Sequence, residues 1–461
     1  MHWIFLHYSG GTDHVMNECL SSSGLGHLHT VTNSFRLYNA LIRPNISTHH
    51  SKFILPPSFI KCHYPEHHRG AGCPTIIAAA CSYSADLVLY YYSFASTPQL
   101  AFVTSNFTQY SYSFSAHSST SDVISGYPEE DLRPGGRHNP GYFPAWLGMQ
   151  LLEHGRFVIM RKLGWGLYSS VWLAHDRKEV RPVAIKILTC EATRALESQK
   201  SDEICILEKI ASTDREHEGS RHTLMFYETF DITGPHGLHR CIVTEPLGCN
   251  IAHLQKEAEY QPLDLQVVKT ITRQVLLGLD YLHNSCGIIH TDLTFDNIMF
   301  RPDKLTFCVA ASLTSEPSRA YCFDTSKPPS VVPIVSQSIR ICGPPLEPGE
   351  VRLDAAIVDF GRAHWADRHF HEHIQPPALR APEVNLGYPW DGSVDVWNLG
   401  CLIMELLTAC WLFETFKMEE WDREEDHLVR VTQTLEEQFP LDFLEKCERR
   451  NQYFKEDGSF H

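Results

Sequence analysis

The chain has 461 residues, enough for two or three domains with sizeable cores, and is 43% hydrophobic and 20% charged. That balance is ordinary for a globular protein and excludes collagen-like, coiled-coil and low-complexity architectures. A formal net charge of -16 argues against general nucleic-acid binding and suits a basic partner or plain solubility.

The charge is uneven. In 1–125, Asp13, Glu18, Glu66, Asp86 and Asp122 cancel Arg36, Arg43, Lys52, Lys61 and Arg69, so the acidic excess lies in 126–461. The cysteines form no Cys-x-x-Cys pair and mostly sit in apolar runs such as Ile204-Cys205-Ile206. Reduced thiols of an intracellular protein are expected, not a disulfide scaffold or a zinc site. Residues 1–126 form no domain that can be named: Ser, Tyr and His abound, Pro interrupts, and charges are few. The most apolar part, 76–103, is broken by Ser82, Ser84, Asp86 and Pro98, short of the ~20 apolar residues that a membrane span needs. The first six residues make too short an apolar run for a signal peptide and lack a basic start. A poorly ordered extension is expected there.

From Tyr127 onward the character changes, and 127–461 reads as one domain. Arg133-Pro134-Gly135-Gly136 is a turn-rich lead-in to a short strand at 155–160. Leu163-Gly164-Trp165-Gly166 opens a hairpin that continues through Ser169-Ser170-Val171-Trp172-Leu173. Two glycines there let backbone amides approach phosphate oxygens with no Cβ in the way, although a tight turn explains a lone Gly-x-Gly equally well. The strand Val183-Ala184-Ile185-Lys186 ends in a cation that can reach phosphates under the hairpin. Residues 191–210 have helical spacing, with Ala195, Ile204, Leu207 and Ile210 on one side. Glu203 borders that inward face, where an acid is costly unless paired, and Lys186 is the candidate partner.

Cys241-Ile242-Val243-Thr244-Glu245-Pro246-Leu247-Gly248 reads as a strand running into a linker between two lobes, 127–246 and 247–461. Residues 265–283 form an amphipathic helix, apolar at Val268, Ile271, Val275, Leu279 and Leu282. It delivers the chain to His290-Thr291-Asp292-Leu293-Thr294-Phe295-Asp296-Asn297, a polar loop between two β-rich apolar runs. An acid and an amide so spaced suit phosphoryl transfer: the carboxylate accepts a hydroxyl proton while the amide holds a metal on the phosphates. Residues 301–350 contain Pro and Ser without periodicity and read as a surface loop insertion. Ala356-Ile357-Val358-Asp359-Phe360-Gly361 is a strand ending in an acid and a glycine, and Asp359 is the second metal-ligand candidate.

His369, His371 and His373 alternate, as if to share one side of a strand. Without nearby cysteines or a His-Glu-x-x-His helix, no metal site is expected there. Leu379-Arg380-Ala381-Pro382-Glu383 precedes a helix at 395–407 that is apolar nearly all round, hence a buried central one. An acidic run, Glu419, Glu420, Asp422, Glu424, Glu425 and Asp426, leads into a short helix from His427.

Taken in order, the hairpin, Lys186, Glu203, Asp292, Asn297, Asp359 and Ala381-Pro382-Glu383 resemble the eukaryotic protein kinase family. Over 127–461 the chain is most similar to its SR-protein kinase branch, fungal-type members in particular. The matches to that branch are Lys162-Leu163-Gly164-Trp165-Gly166, His290-Thr291-Asp292, and His369-Phe370 with Ile374-Gln375. The resemblance implies an α+β, bilobal protein-kinase-like fold, with a small β-rich lobe and a larger helical lobe that stops before its last helices. It implies a serine/threonine kinase that transfers the γ-phosphoryl group of ATP, with Mg²⁺, to Arg/Ser-rich proteins. Asp292 would be the catalytic base, Lys186 would hold the nucleotide phosphates oriented by Glu203, and Asn297 and Asp359 would hold Mg²⁺. Leu163, Gly164, Trp165, Gly166, Val171 and Ala184 would cradle the nucleotide, with backbone bonds from Glu245 and Leu247 to adenine.

Some residues depart from the family pattern. Thr294 stands where Ser/Thr kinases carry a Lys near the transferred phosphoryl group. Thr291 stands where many carry an Arg that pairs with a phosphorylated loop, so activity without that phosphorylation is expected. Glu383 is expected to lack its Arg partner. Acids of the inserted stretch, Asp426 among them, imply a groove for Arg-rich segments. The chain is expected to act as a monomer in the cytoplasm or nucleus, in direct contact with neither nucleic acid nor membrane. Thr294 and the short large lobe keep an alternative open: a truncated pseudokinase that holds nucleotide or protein with little catalysis.

Overall fold

The computed structural model describes residues 129–132, 139–321, 332–340, 352–415 and 422–461. The expected 1–126 extension lies outside the described residues, as do Glu419 and Glu420. The small lobe is a six-stranded antiparallel sheet in the order β1-β2-β3-β4-β6-β5. Its strands are β1 (Gln150–Leu151), β2 (Phe157–Gly166), β3 (Ser169–Asp176), β4 (Arg181–Leu188), β5 (Phe226–Gly234) and β6 (Gly237–Thr244). Side chains alternate faces along a strand. Val183, Ile185 and Ile187 therefore enter one apolar cluster with Phe157, Ile159, Trp172 and Val243. Ala184 and Lys186 are left on the opposite face, toward the cleft.

The 191–210 stretch is not one helix. It divides into α1 (Cys190–Glu197) and α2 (Glu203–Ser212), parted by a turn in which Gln199 takes φ 55. The break lets α2 begin at Glu203, so this acid sits in the first turn, where the helix dipole favours it. In the large lobe, α3 (Ile251–Glu257) is followed by α4 (Leu265–Asp280), which buries Val268, Ile271, Val275 and Leu279. The chain then passes through a π-turn over Tyr281–Cys286 that ends the α-helix earlier than its apolar spacing predicts. The short strands β7 (Ile288–Ile289) and β8 (Ile298–Phe300) bracket the Asp292 loop.

The insertion is more structured than a surface loop. Leu305–Ser315 forms α5, and its Cys308 and Val309, with Ile339, pack on Leu173, Met160 and Leu163 of the small lobe. Arg161 anchors the arrangement: its buried guanidinium donates to the carbonyls of Ser312 (3.0 Å) and Ser338 (3.2 Å), and also to that of Glu316. Lys162 next to it is clamped by Glu129 at 2.5 Å and by Glu130, while Tyr321 and Ser336 donate to Glu129. The helix mixes apolar and hydroxyl side chains without a charged face, so it carried no amphipathic period in the sequence.

Beyond the insertion come β9 (Ala355–Ile357), β10 (His364–Trp365), α6 (Pro382–Leu386) and α7 (Ser393–Thr408). Leu399, Leu402 and Leu406 of α7 share one core with α4 and with the strands around Asp292. No strand forms at 369–373; His369 instead stacks on Trp390 at 3.6 Å, and His364 lies edge-on to both. Among the described residues no His, Cys, Asp or Glu group has metal-holding geometry. The helix expected from His427 starts four residues earlier, as α8 (Arg423–Leu435), because Asp422 caps it by accepting from Glu425 N at 2.8 Å. Two short helices, α9 (Leu441–Leu444) and α10 (Arg450–Tyr453), complete the order. Among the described residues no helix is long and apolar enough to cross a membrane.

Candidate active site

Lys186, on the cleft face of β4, meets two acids from separate elements. Its Nζ donates to Glu203 Oε1 at 2.6 Å and to Asp359 Oδ1 at 2.8 Å. Burial alone would depress the ammonium, but Asp359 and Glu203 beside it hold it above its ordinary value. Lys186 in turn holds the Asp359 carboxyl below the usual carboxylate range. Asp359 takes a left-handed backbone, φ 62, and turns its carboxylate into the cleft as the chain leaves β9. The neighbouring helix is tied in as well: Asp202, just before α2, accepts from Trp365 Nε1 at 2.9 Å and pairs with Arg368.

The Asp292 loop is fixed from beneath by Asp395 in the first turn of α7. That wholly buried carboxylate accepts from the amides of His290 and Thr291, each at 2.7 Å, and from His283 Nε2 at 2.9 Å. Burial would raise its pKa, yet His283 and the bonds from the loop hold it below the ordinary value. Thr291 is left at φ 63, a strained conformation for a β-branched residue. Its hydroxyl donates to Arg362 O at 2.7 Å, and His290 Nε2 lies 2.9 Å from Val358 O, so the loop is stitched to the segment around Asp359. Asn297 Nδ2 donates to Asp292 O at 2.8 Å, which leaves its Oδ1 free to face a cation. The Asp292 carboxylate has no hydrogen-bond partner among the described residues. Burial pushes it up from its ordinary value, against the pull of His290 and Arg362. Thr294 stands at the head of the turn Phe295–Asn297 and brings no charge.

In the glycine hairpin, the turn falls at Leu167-Tyr168, beyond the glycines, because Gly166 pairs with Ser169. Gly164 and Gly166 have ordinary φ, and a Cβ added at either would meet nothing within 4 Å. The turn therefore does not require them; they keep the space beneath the strand open. Ala184 is buried and Val171 half-buried, while Trp165 is exposed beside the glycines. Leu163 packs into the cluster under α5. In the linker, the Glu245 side chain is used structurally, accepting from Arg301 Nε at 2.8 Å and Nη2 at 2.7 Å. The Leu247 amide has no partner among the described residues, so an edge-on ligand can take it.

Two of these residues, Arg362 and Arg301, carried no signal in the sequence. A third did: Asp395 is an acid opening an apolar helix, which is costly unless paired. Glu383 is buried with Ser393 Oγ at 3.3 Å as its hydrogen-bond partner, and burial pushes its carboxyl up. Of the acidic run, Asp422 is spent on the cap, Glu424 lies 3.5 Å from Arg380, and Asp426 accepts from Arg430 at 2.8 Å. Glu425 has no ion pair among the described residues.

A strand sheet over a helical lobe, with Lys, Glu, Asp and Asn converging on one cleft, defines a protein kinase. The sequence profile of the protein kinase domain matches residues 157–322. The serine/threonine-protein kinase SRPK of Physarum polycephalum is 35% identical over 345 residues, covering 71% of this chain and 76% of that protein. Protein kinase dsk1 of Schizosaccharomyces pombe is 31% identical, over 65% of this chain and 69% of its own. SRSF protein kinase 3 of Mus musculus is 26% identical, over 67% and 76%. The chain belongs to the SR-protein kinase branch of the protein kinase family. It is a serine/threonine protein kinase, and the pseudokinase alternative finds no support among these relatives.

Proposed function

We propose that the chain transfers the γ-phosphoryl group of ATP to serine or threonine hydroxyls of Arg/Ser-rich proteins. The observation that carries this reading is the Lys186 bridge to Glu203 and Asp359 beside an Asp292 carboxylate that has no hydrogen-bond partner among the described residues. Lys186 holds the nucleotide phosphates, and Glu203 keeps it extended into the cleft. Leu247 N and Glu245 O meet the adenine edge. Asp359 and Asn297 Oδ1 are oxygen donors of the kind that suit Mg²⁺, and the depressed Asp359 carboxyl stays ionised for it. Bound there, the ion would neutralise phosphate charge.

Asp292 accepts the proton of the substrate hydroxyl. The oxygen attacks the γ-phosphorus as the bond to the β-phosphate oxygen breaks, and ADP leaves. Positive charge is needed beside the moving phosphoryl group, and Thr294 supplies none. Arg362 supports a substitute role: its guanidinium is exposed, has no hydrogen bond or ion pair among the described residues, acts electrostatically on Asp292, and its carbonyl is held 2.7 Å from the Thr291 hydroxyl.

Three outcomes test this reading. With ATP and an Arg/Ser peptide, Asp292→Asn should abolish transfer while ATP still binds in calorimetry; undiminished turnover removes Asp292 from its role. Arg362→Gln should lower kcat by at least about tenfold, the modest end of what a transition-state donor contributes, and Thr294→Lys should restore it in that background. An unchanged kcat in Arg362→Gln means that the cation comes from elsewhere. Surface carboxylates attract guanidinium groups through a field that salt screens. KM for an Arg/Ser peptide should therefore rise with salt, and Glu425→Lys should raise it more than KM for a neutral peptide. Equal responses of the two peptides would reduce the acidic run to solvation.

A further inference from the structure

The glycine hairpin ends in an exposed, apolar tip, Trp165-Gly166-Leu167-Tyr168, that packs into no core cluster of the described residues. Among the described residues, two hydrogen-bonded ties reach it. One is Thr189 N, donating to Tyr168 O at 2.9 Å. The other comes from far upstream: the buried Tyr142 hydroxyl lies 2.7 Å from Gly166 O and 3.0 Å from Leu167 O, and donates to this pair of carbonyls.

Tyr142 belongs to a strap that is itself firmly held. Asn139 Oδ1 accepts from the amides of Gly141 (2.8 Å) and Tyr142 (3.0 Å), which closes a side-chain turn. Gly141, at φ +85, presses its backbone against Cys190, and a Cβ there would meet Cys190 Cβ at 3.0 Å. Pro140 O and Gly141 O accept from Glu191 N at 3.1 Å and Cys190 N at 3.0 Å, the first amides of α1. Thr189, whose amide holds the hairpin from the other side, is the N-cap of that same helix. Strap, helix start and hairpin tip therefore close a ring of hydrogen bonds. Tyr142 also lies outside 157–322, the span matched by the kinase profile.

We infer that Tyr142 is a positioning residue for the nucleotide: its hydroxyl pins the hairpin tip at the height that holds the ATP phosphates. This rests on the phosphoryl-transfer reading above. An unpinned tip samples open positions, and ATP must then supply the ordering itself, which weakens binding without touching the chemistry.

The test uses the full chain with Tyr142→Phe, which keeps the ring and removes only the donor. Hydrogen exchange of the unliganded protein should quicken at the amides of 164–168. KM for ATP should rise about three- to tenfold, the scale of one net hydrogen bond, with kcat and peptide KM within about twofold of the parent. Melting temperature controls for general damage. Unchanged exchange with unchanged KM for ATP overturns the inference. So does a parallel rise of both KM values with a lowered melting temperature, because that is the mark of a merely structural residue. A parent chain that binds no ATP overturns the phosphoryl-transfer reading and this inference together. A parent that binds ATP, with a Tyr142→Phe chain that binds it equally well, overturns this inference alone.

Discussion

Asp395 is the constraint on which the rest of the cleft depends. A carboxylate without solvent survives in a core only when its lone pairs are used, and here two loop amides and His283 use them. Those same bonds hold Thr291 in a conformation it would not adopt alone, and Thr291 and His290 in turn reach across to the segment of Asp359. One buried acid on the core helix thus fixes the Asp292 loop and, through it, the acid that binds Lys186. Because its folded pKa is depressed, the clamp contributes fully above the ordinary Asp value of about 3.9 and is lost only as pH falls through the lowered one.

The two lobes meet through charge and apolar packing together. Lys186 belongs to the sheet, Glu203 to α2 and Asp359 to the large lobe, so their short bonds form only when all three elements are in place. The insertion adds a second tie. Arg161, buried in β2, is satisfied by carbonyls of α5 and of the 332–340 segment, and Arg301 at the insertion's start holds Glu245 in the linker. Asp202, paired with Trp365 and Arg368, bears on the same helix as Glu203. The result is a cleft assembled by its own side chains.

Much of this was legible in the sequence, and the reasons are particular. A strand ending in a cation pointed to Lys186, and an acid on the inward edge of a helix implied a partner for Glu203. Bonding that leaves no period is not legible in a sequence. The apolar α5 shows no stripe, so its docking on the small lobe was missed. The break between α1 and α2 rests on a positive φ at Gln199, a residue with no special tendency toward it. The Thr291 hydroxyl on Arg362 O and the Tyr142 hydroxyl on Gly166 O and Leu167 O bond to main-chain carbonyls, which any residue offers. The His369–His373 alternation is not that of a strand: His369 stacks on Trp390 and His371 lies edge-on to His364.

The central claim is that the site is assembled before any ligand or modification arrives. Thr291 is held by Asp395 and donates to Arg362 O, bonds made by the chain alone. The most direct measurement follows product formation by the full chain after phosphatase treatment, with mass spectrometry confirming that no phosphate remains. The account predicts a progress curve on ATP and an Arg/Ser peptide that is linear from the first turnovers. A lag that disappears after preincubation with ATP would contradict it.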